Sequence, residues 1–83
     1  MWEDRLLLFR LKQGSAEAMQ RIYETYKNDM LALAVSLVHD RPLAEDALHD
    51  VFVALTKYAS SINLRTNLRN YLSCCIANRV RSL

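Results

Sequence analysis

One glycine and one proline, Gly14 and Pro42, are all that punctuate these 83 residues. A sheet of several strands needs more tight turns than that, so the chain is confined to a few long helices. Between the breaks, apolar residues recur at intervals of three and four, the period of a helix with one buried side. Gly14 is placed to end a first helix, Trp2 to Lys12, in a left-handed turn. Ser15 caps the next, with Glu17 near its positive end. That second helix is expected from about Ala16 to Val38, burying Met19, Ile22, Tyr23, Tyr26, Met30, Leu33, Ala34 and Leu37. His39-Asp40-Arg41-Pro42 is the clearest break. Asp40 is a capping residue, and proline fits a first helical turn because its missing N–H had no partner there.

The third helix is expected over about Pro42 to Tyr58, with Leu43, Ala44, Ala47, Leu48, Val51, Phe52 and Leu55 inside. Ala59 to Leu64 reads as a polar loop with Ile62 and Leu64 as apolar anchors. A last helix is expected from near Arg65 or Thr66, its core stripe being Leu68, Tyr71, Leu72, Cys75, Ile76, Val80 and Leu83. The expected fold is all-α, a compact bundle of about four helices. A chain this short buries only about 60% of its unfolded surface, so every helix must contribute to one core. The 52% hydrophobic content is ample for it. At Val80-Arg81-Ser82-Leu83 the apolar period still runs without a stop signal, so residues 1–83 are expected to be one domain, the front part of a longer two-domain protein.

Several function classes drop out. No apolar run approaches the ~20 residues of a membrane span, and Met1-Trp2-Glu3-Asp4 is not a secretory start, so a cytoplasmic protein without a membrane partner is expected. Cys74 and Cys75 are adjacent, where a disulfide would be strained, and are expected to be reduced and structural. His39 and His49 are the only histidines and stand at no metal-ligand spacing, so no metal or cofactor is expected. No glycine-rich phosphate loop or nucleophile–base pattern suggests an enzyme.

Charge is divided along the chain. Before Val51 there are nine acids and six bases; from Val51 onward there are five bases (Lys57, Arg65, Arg69, Arg79, Arg81) and no acid. Two partners of opposite character fit that division, one basic and one polyanionic. Asp46, His49 and Asp50 stand at i, i+3 and i+4 and share one helix face. Carboxylates there accept paired bonds from arginine. A helical interaction module that binds a basic partner through this helix accounts for the first half but leaves the second unused.

The string Asp40-Arg41-Pro42-Leu43-Ala44-Glu45-Asp46-Ala47-Leu48-His49-Asp50-Val51-Phe52-Val53-Ala54-Leu55 resembles the region 2.1–2.2 signature of bacterial RNA polymerase sigma factors of the extracytoplasmic-function group. Further on, Leu68-Arg69-Asn70-Tyr71-Leu72-Ser73-Cys74-Cys75-Ile76-Ala77-Asn78-Arg79-Val80-Arg81 is similar to the family's region 2.3–2.4 run. The order and spacing of both motifs match over most of the chain. The resemblance implies a promoter-recognition domain with no chemistry of its own and two binding surfaces. Asp46, His49 and Asp50 would meet the arginine-rich clamp helices of the largest polymerase subunit. Ser61 and Asn63 would border a pocket for an extruded base, and Arg65, Arg69, Asn70, Ser73, Asn78 and Arg81 would line the path of the non-template −10 strand. An inhibitory anti-sigma factor is a further partner compatible with the family. The chain departs from the pattern at His49, where glutamine is usual, at Tyr71 for tryptophan, and at Ser73-Cys74 for an aromatic–arginine pair. Arg79, beside the apolar stripe, is read as a brace of the fold.

Overall fold

The computed structural model describes residues 2–62 and 67–82, with side chains from residue 5 onward. Among the described residues four helices follow in order: α1 (Trp2–Lys12), α2 (Ala16–Val38), α3 (Arg41–Tyr58) and α4 (Leu68–Arg81), with one 3-10 turn at Ala59–Ser61. Among the described residues there is no strand. None of the helices is long and apolar enough to cross a membrane.

Local chemistry sets the helix ends. Gly14 takes φ 86°, a left-handed value that costs glycine nothing. The Ala18 N–H donates to Ser15 Oγ at 3.1 Å, and the Leu43 N–H to Asp40 Oδ1 at 3.2 Å, so both expected caps are made. His39 closes α2 in the left-handed region at φ 55°, its N–H donating to Val35 O at 2.8 Å. The expected start of α4 is corrected. Asn67 is extended, and its side chain accepts the Asn70 N–H at 2.8 Å, so the helix begins at Leu68 rather than near Arg65 or Thr66.

The long helix α2 packs against α1, α3 and α4, and α3 packs against α4. Its inward line is Ala18, Ile22, Tyr26, Met30 and Ala34, each four residues apart. Ile22, Leu68, Leu72 and Ile76 are the largest side chains buried completely. The expected stripes were too wide at their edges: Tyr23, Leu37 and Leu43 are 38%, 47% and 42% exposed. The narrower line suffices because the small Ala18, Ala34, Ala44 and Ala47 bring the helices close. On α1, Leu7, Leu8 and Leu11 face inward while Leu6 and Phe9 stay in water. Ile62 is buried as the anchor expected of it, and its carbonyl accepts a hydrogen bond from Lys12 Nζ at 2.6 Å. Leu64 and Leu83 lie outside the described residues.

Candidate functional site

Two helix surfaces hold the residues that the sequence singles out. On α3 the inner line is Ala44, Ala47, Leu48, Val51 and Leu55, which turns Asp46 and Asp50 outward. Asp46 and His49 are exposed and Asp50 is half-buried. Glu45, beside them, pairs with Arg41 at 3.6 Å across one turn, a surface pair of small energetic weight. His49 borders a shallow groove between α2 and α3 with Tyr23, Lys27, Leu31, Glu45 and Leu48. The wall of that groove is fixed by stacking: the Tyr23 ring meets Phe52 edge-on at 5.1 Å, and Lys27 Nζ lies 5.4 Å from the Tyr23 centroid.

Asp50 differs from Asp46. Its Oδ2 accepts from both Nε and Nη2 of Arg79, at 2.8 and 2.7 Å, across the α3–α4 interface. Arg79 thus braces the two helices, as its place beside the apolar stripe led us to expect.

The α4 residues do not form one line. Arg69 turns toward α2, where Nη1 donates to Asp29 Oδ2 at 2.5 Å and the guanidinium lies 5.2 Å from the Tyr26 centroid. Ser73 turns the same way; its hydroxyl donates to the Arg69 carbonyl at 2.9 Å and lies 3.9 Å from Met30 Sδ. Asn70 and Arg81 are exposed. Arg81 donates to Asn78 Oδ1 through Nη2 and to Ala77 O through Nε. Asn78 in turn borders the groove shared with α3. Ser61 is exposed at the end of the 3-10 turn, and Asn63 and Arg65 fall outside the described residues.

Sequence reasoning missed Asp29 as the partner of Arg69. It also passed over Tyr58, which is 61% exposed in the wall of the α3–α4 groove. That groove, of about 330 Å³, brings Tyr58, Tyr71, Cys75, Asn78, Arg79 and Asp50 together. Burial pushes the thiol of Cys75 up, countered in part by a hydrogen bond from the Tyr71 hydroxyl. Tyr71 is raised by burial and then by its neighbour Cys75. Cys75 is therefore a packing thiol, while Cys74 faces solvent. No signal in the sequence marks Asp29 or Tyr58, because each acquires its neighbours only through the fold.

The geometry offers carboxylates on one helix and cations with amides on another, with no group of three or more metal-ligating side chains among the described residues. Comparison with curated proteins and with solved structures gives no significant match. The family model for Sigma-70 region 2 matches residues 22–83, which include all of α3 and α4. With that match over most of an all-helical chain, the protein belongs to the Sigma-70 region 2 family, the non-enzymatic domain by which sigma factors bind RNA polymerase and recognise promoters.

Proposed function

We propose that this domain is region 2 of an extracytoplasmic-function sigma factor acting in the cytoplasm. Its α3 ridge docks on the clamp helices of the largest polymerase subunit through Asp46, His49 and Asp50. The observation that carries this reading is Asp46: an exposed carboxylate on the outward side of α3, inside the family-matched span. An arginine on the partner gains a charge-assisted bond there without first breaking an internal one. Asp50 contributes through the oxygen that Arg79 leaves open, and His49 offers a donor and an acceptor where glutamine is usual.

The −10 non-template strand runs along the start and outer side of α4, past Ser61, Asn63, Arg65, Arg69, Asn70, Ser73, Asn78 and Arg81. Cations there hold phosphates, and the amides and hydroxyls read base edges. The exposure of Arg69, Asn70 and Arg81 on the surface of α4 supports this path.

Titration of the domain with an isolated clamp coiled coil tests the first contact. Asp46→Arg should abolish binding while leaving the melting curve in place; unchanged affinity would defeat the assignment. For the second contact, an oligonucleotide of −10 sequence should bind weakly, and more weakly as salt rises. Arg69→Ala with Arg81→Ala should flatten that salt dependence.

A further inference from the structure

The first helix keeps its one aromatic described side chain in water. Phe9 is 57% exposed and Leu6 36%, while Leu7, Leu8 and Leu11 fill the inward side of α1. Arg5 and Phe9 stand one helical turn apart on the outward face, and Gln13 follows four residues later in the turn; all three are exposed. Leu6 and Arg10, also exposed, form a second row beside them. In the helix register the ring is thus flanked by two arginines and followed by an amide. Both acids of this helix, Glu3 and Asp4, come before the patch in the sequence.

These arginines differ from those of α4. Arg69 and Arg79 are paired with acids, and Arg81 is bonded to Asn78. Among the described residues, neither Arg5 nor Arg10 has a side-chain hydrogen bond or an ion pair. Arg10 borders a cleft whose α2 wall carries Glu17 and Glu24, with Arg21 between them in sequence, and neither acid pairs with Arg10. The patch also precedes the family-matched span, which begins at residue 22, so family likeness assigns it nothing.

Charge and shape together select the occupant. A single strand offers the flat face of an unpaired base with a phosphate on either side. The row Arg5, Phe9, Gln13 is complementary to it: a cation for a phosphate, a ring for the base face and an amide for the base edge, at about 5.4 Å per turn. A duplex has no unstacked face to lay on Phe9. A membrane requires a broad apolar side, and the core already takes three of the five leucine and phenylalanine side chains of α1.

We infer that the outward face of α1 is a second contact for single-stranded DNA, in which Phe9 stacks on a base while Arg5 and Arg10 hold the adjoining phosphates. The choice of DNA follows from the family; the contact does not depend on the path along α4.

The test titrates the whole chain with a labelled oligo(dT), which lacks a −10 sequence, at several salt concentrations. Phe9→Ala should weaken binding about tenfold, the loss expected for one stacked base. Phe9→Leu should weaken it nearly as much, because leucine keeps apolar surface but has no flat face. Phe9→Tyr should retain wild-type affinity. Arg5→Ala with Arg10→Ala should weaken binding and lower the salt slope by about 1.4, the value for two phosphates on a single strand. Arg69→Ala with Arg81→Ala should leave binding that still depends on Phe9. Circular dichroism melts should coincide with the wild type for these exposed changes. Full affinity in Phe9→Ala, alongside loss in the Arg69/Arg81 pair, would overturn the patch and leave the −10 path standing. Full affinity in Phe9→Leu would also overturn it, since an apolar contact without stacking belongs to a protein or lipid partner. Absence of oligo(dT) binding by the wild type at low salt would overturn it as well.

Discussion

The outer surfaces of α3 and α4 use charge in opposite ways. On α3, Asp46 is exposed, whereas Asp50 is drawn into the fold by Arg79. On α4 the cations are engaged internally: Arg69 by Asp29, Arg79 by Asp50, and Arg81 by Asn78 and its own helix. The acid-free second half is strongly basic in the linear chain, yet two of its arginines are neutralised by acids from the first half. Counting charges along a sequence therefore overstates the α4 face and describes the α3 face well. One surface presents an exposed carboxylate; the other holds its cations in internal bonds.

Four substitutions probe this contrast. The largest effect is expected on the inner side of α4, which must hold the fold before it can bind anything. Leu72 is fully buried, and Leu72→Ala should lower stability by about 3 kcal/mol in urea unfolding. A loss below about 1 kcal/mol would show that α4 is only loosely docked. Next is the brace between the two surfaces. Asp50→Asn should lose about 0.5–1 kcal/mol because the pair is half-exposed, whereas Asp46→Asn should lose nothing measurable. Equal losses at the two positions would erase the distinction between a held and a presented carboxylate. A smaller stability effect than at Asp50 belongs to Asp29→Asn, whose pair is more open to water. There we expect a change below about 0.5 kcal/mol together with two- to threefold tighter oligonucleotide binding at low salt, because Arg69 is relieved of the Asp29 charge. Weaker oligonucleotide binding in this variant would mean that Asp29 orients Arg69 for DNA rather than withholding it.

Much of the fold could be read from the sequence because its boundaries carry their own chemistry. Gly14, Ser15 and Asp40-Arg41-Pro42 act on neighbours within four residues, and the helices they delimit are found at those bounds. The start of α4 was misplaced because no glycine or proline marks it; the only signal is the capping Asn67. Leu43 and Tyr23 were assigned to the core because periodicity gives direction but not depth, and the small alanines narrow the stripe that the helices cover. The acidic ridge was legible because it lies on one helix. The contacts of Arg69 and Arg79 join positions 40 and 29 residues apart, and pairings at that distance leave no local trace.

The hydrogen bond from Lys12 to the carbonyl of Ile62 bears on how the domain can be dissected. The span matched by the family begins at residue 22, after α1 has ended. Yet α1 supplies Leu7, Leu8 and Leu11 to the common interior, and Lys12 fastens the turn that precedes α4. A fragment trimmed to the matched span would lose Ala18 with the first turns of α2, uncover Ile22 and release that turn. The stretch defined by family likeness is thus shorter than the stretch that shares one core, which also takes in α1 and the first turns of α2.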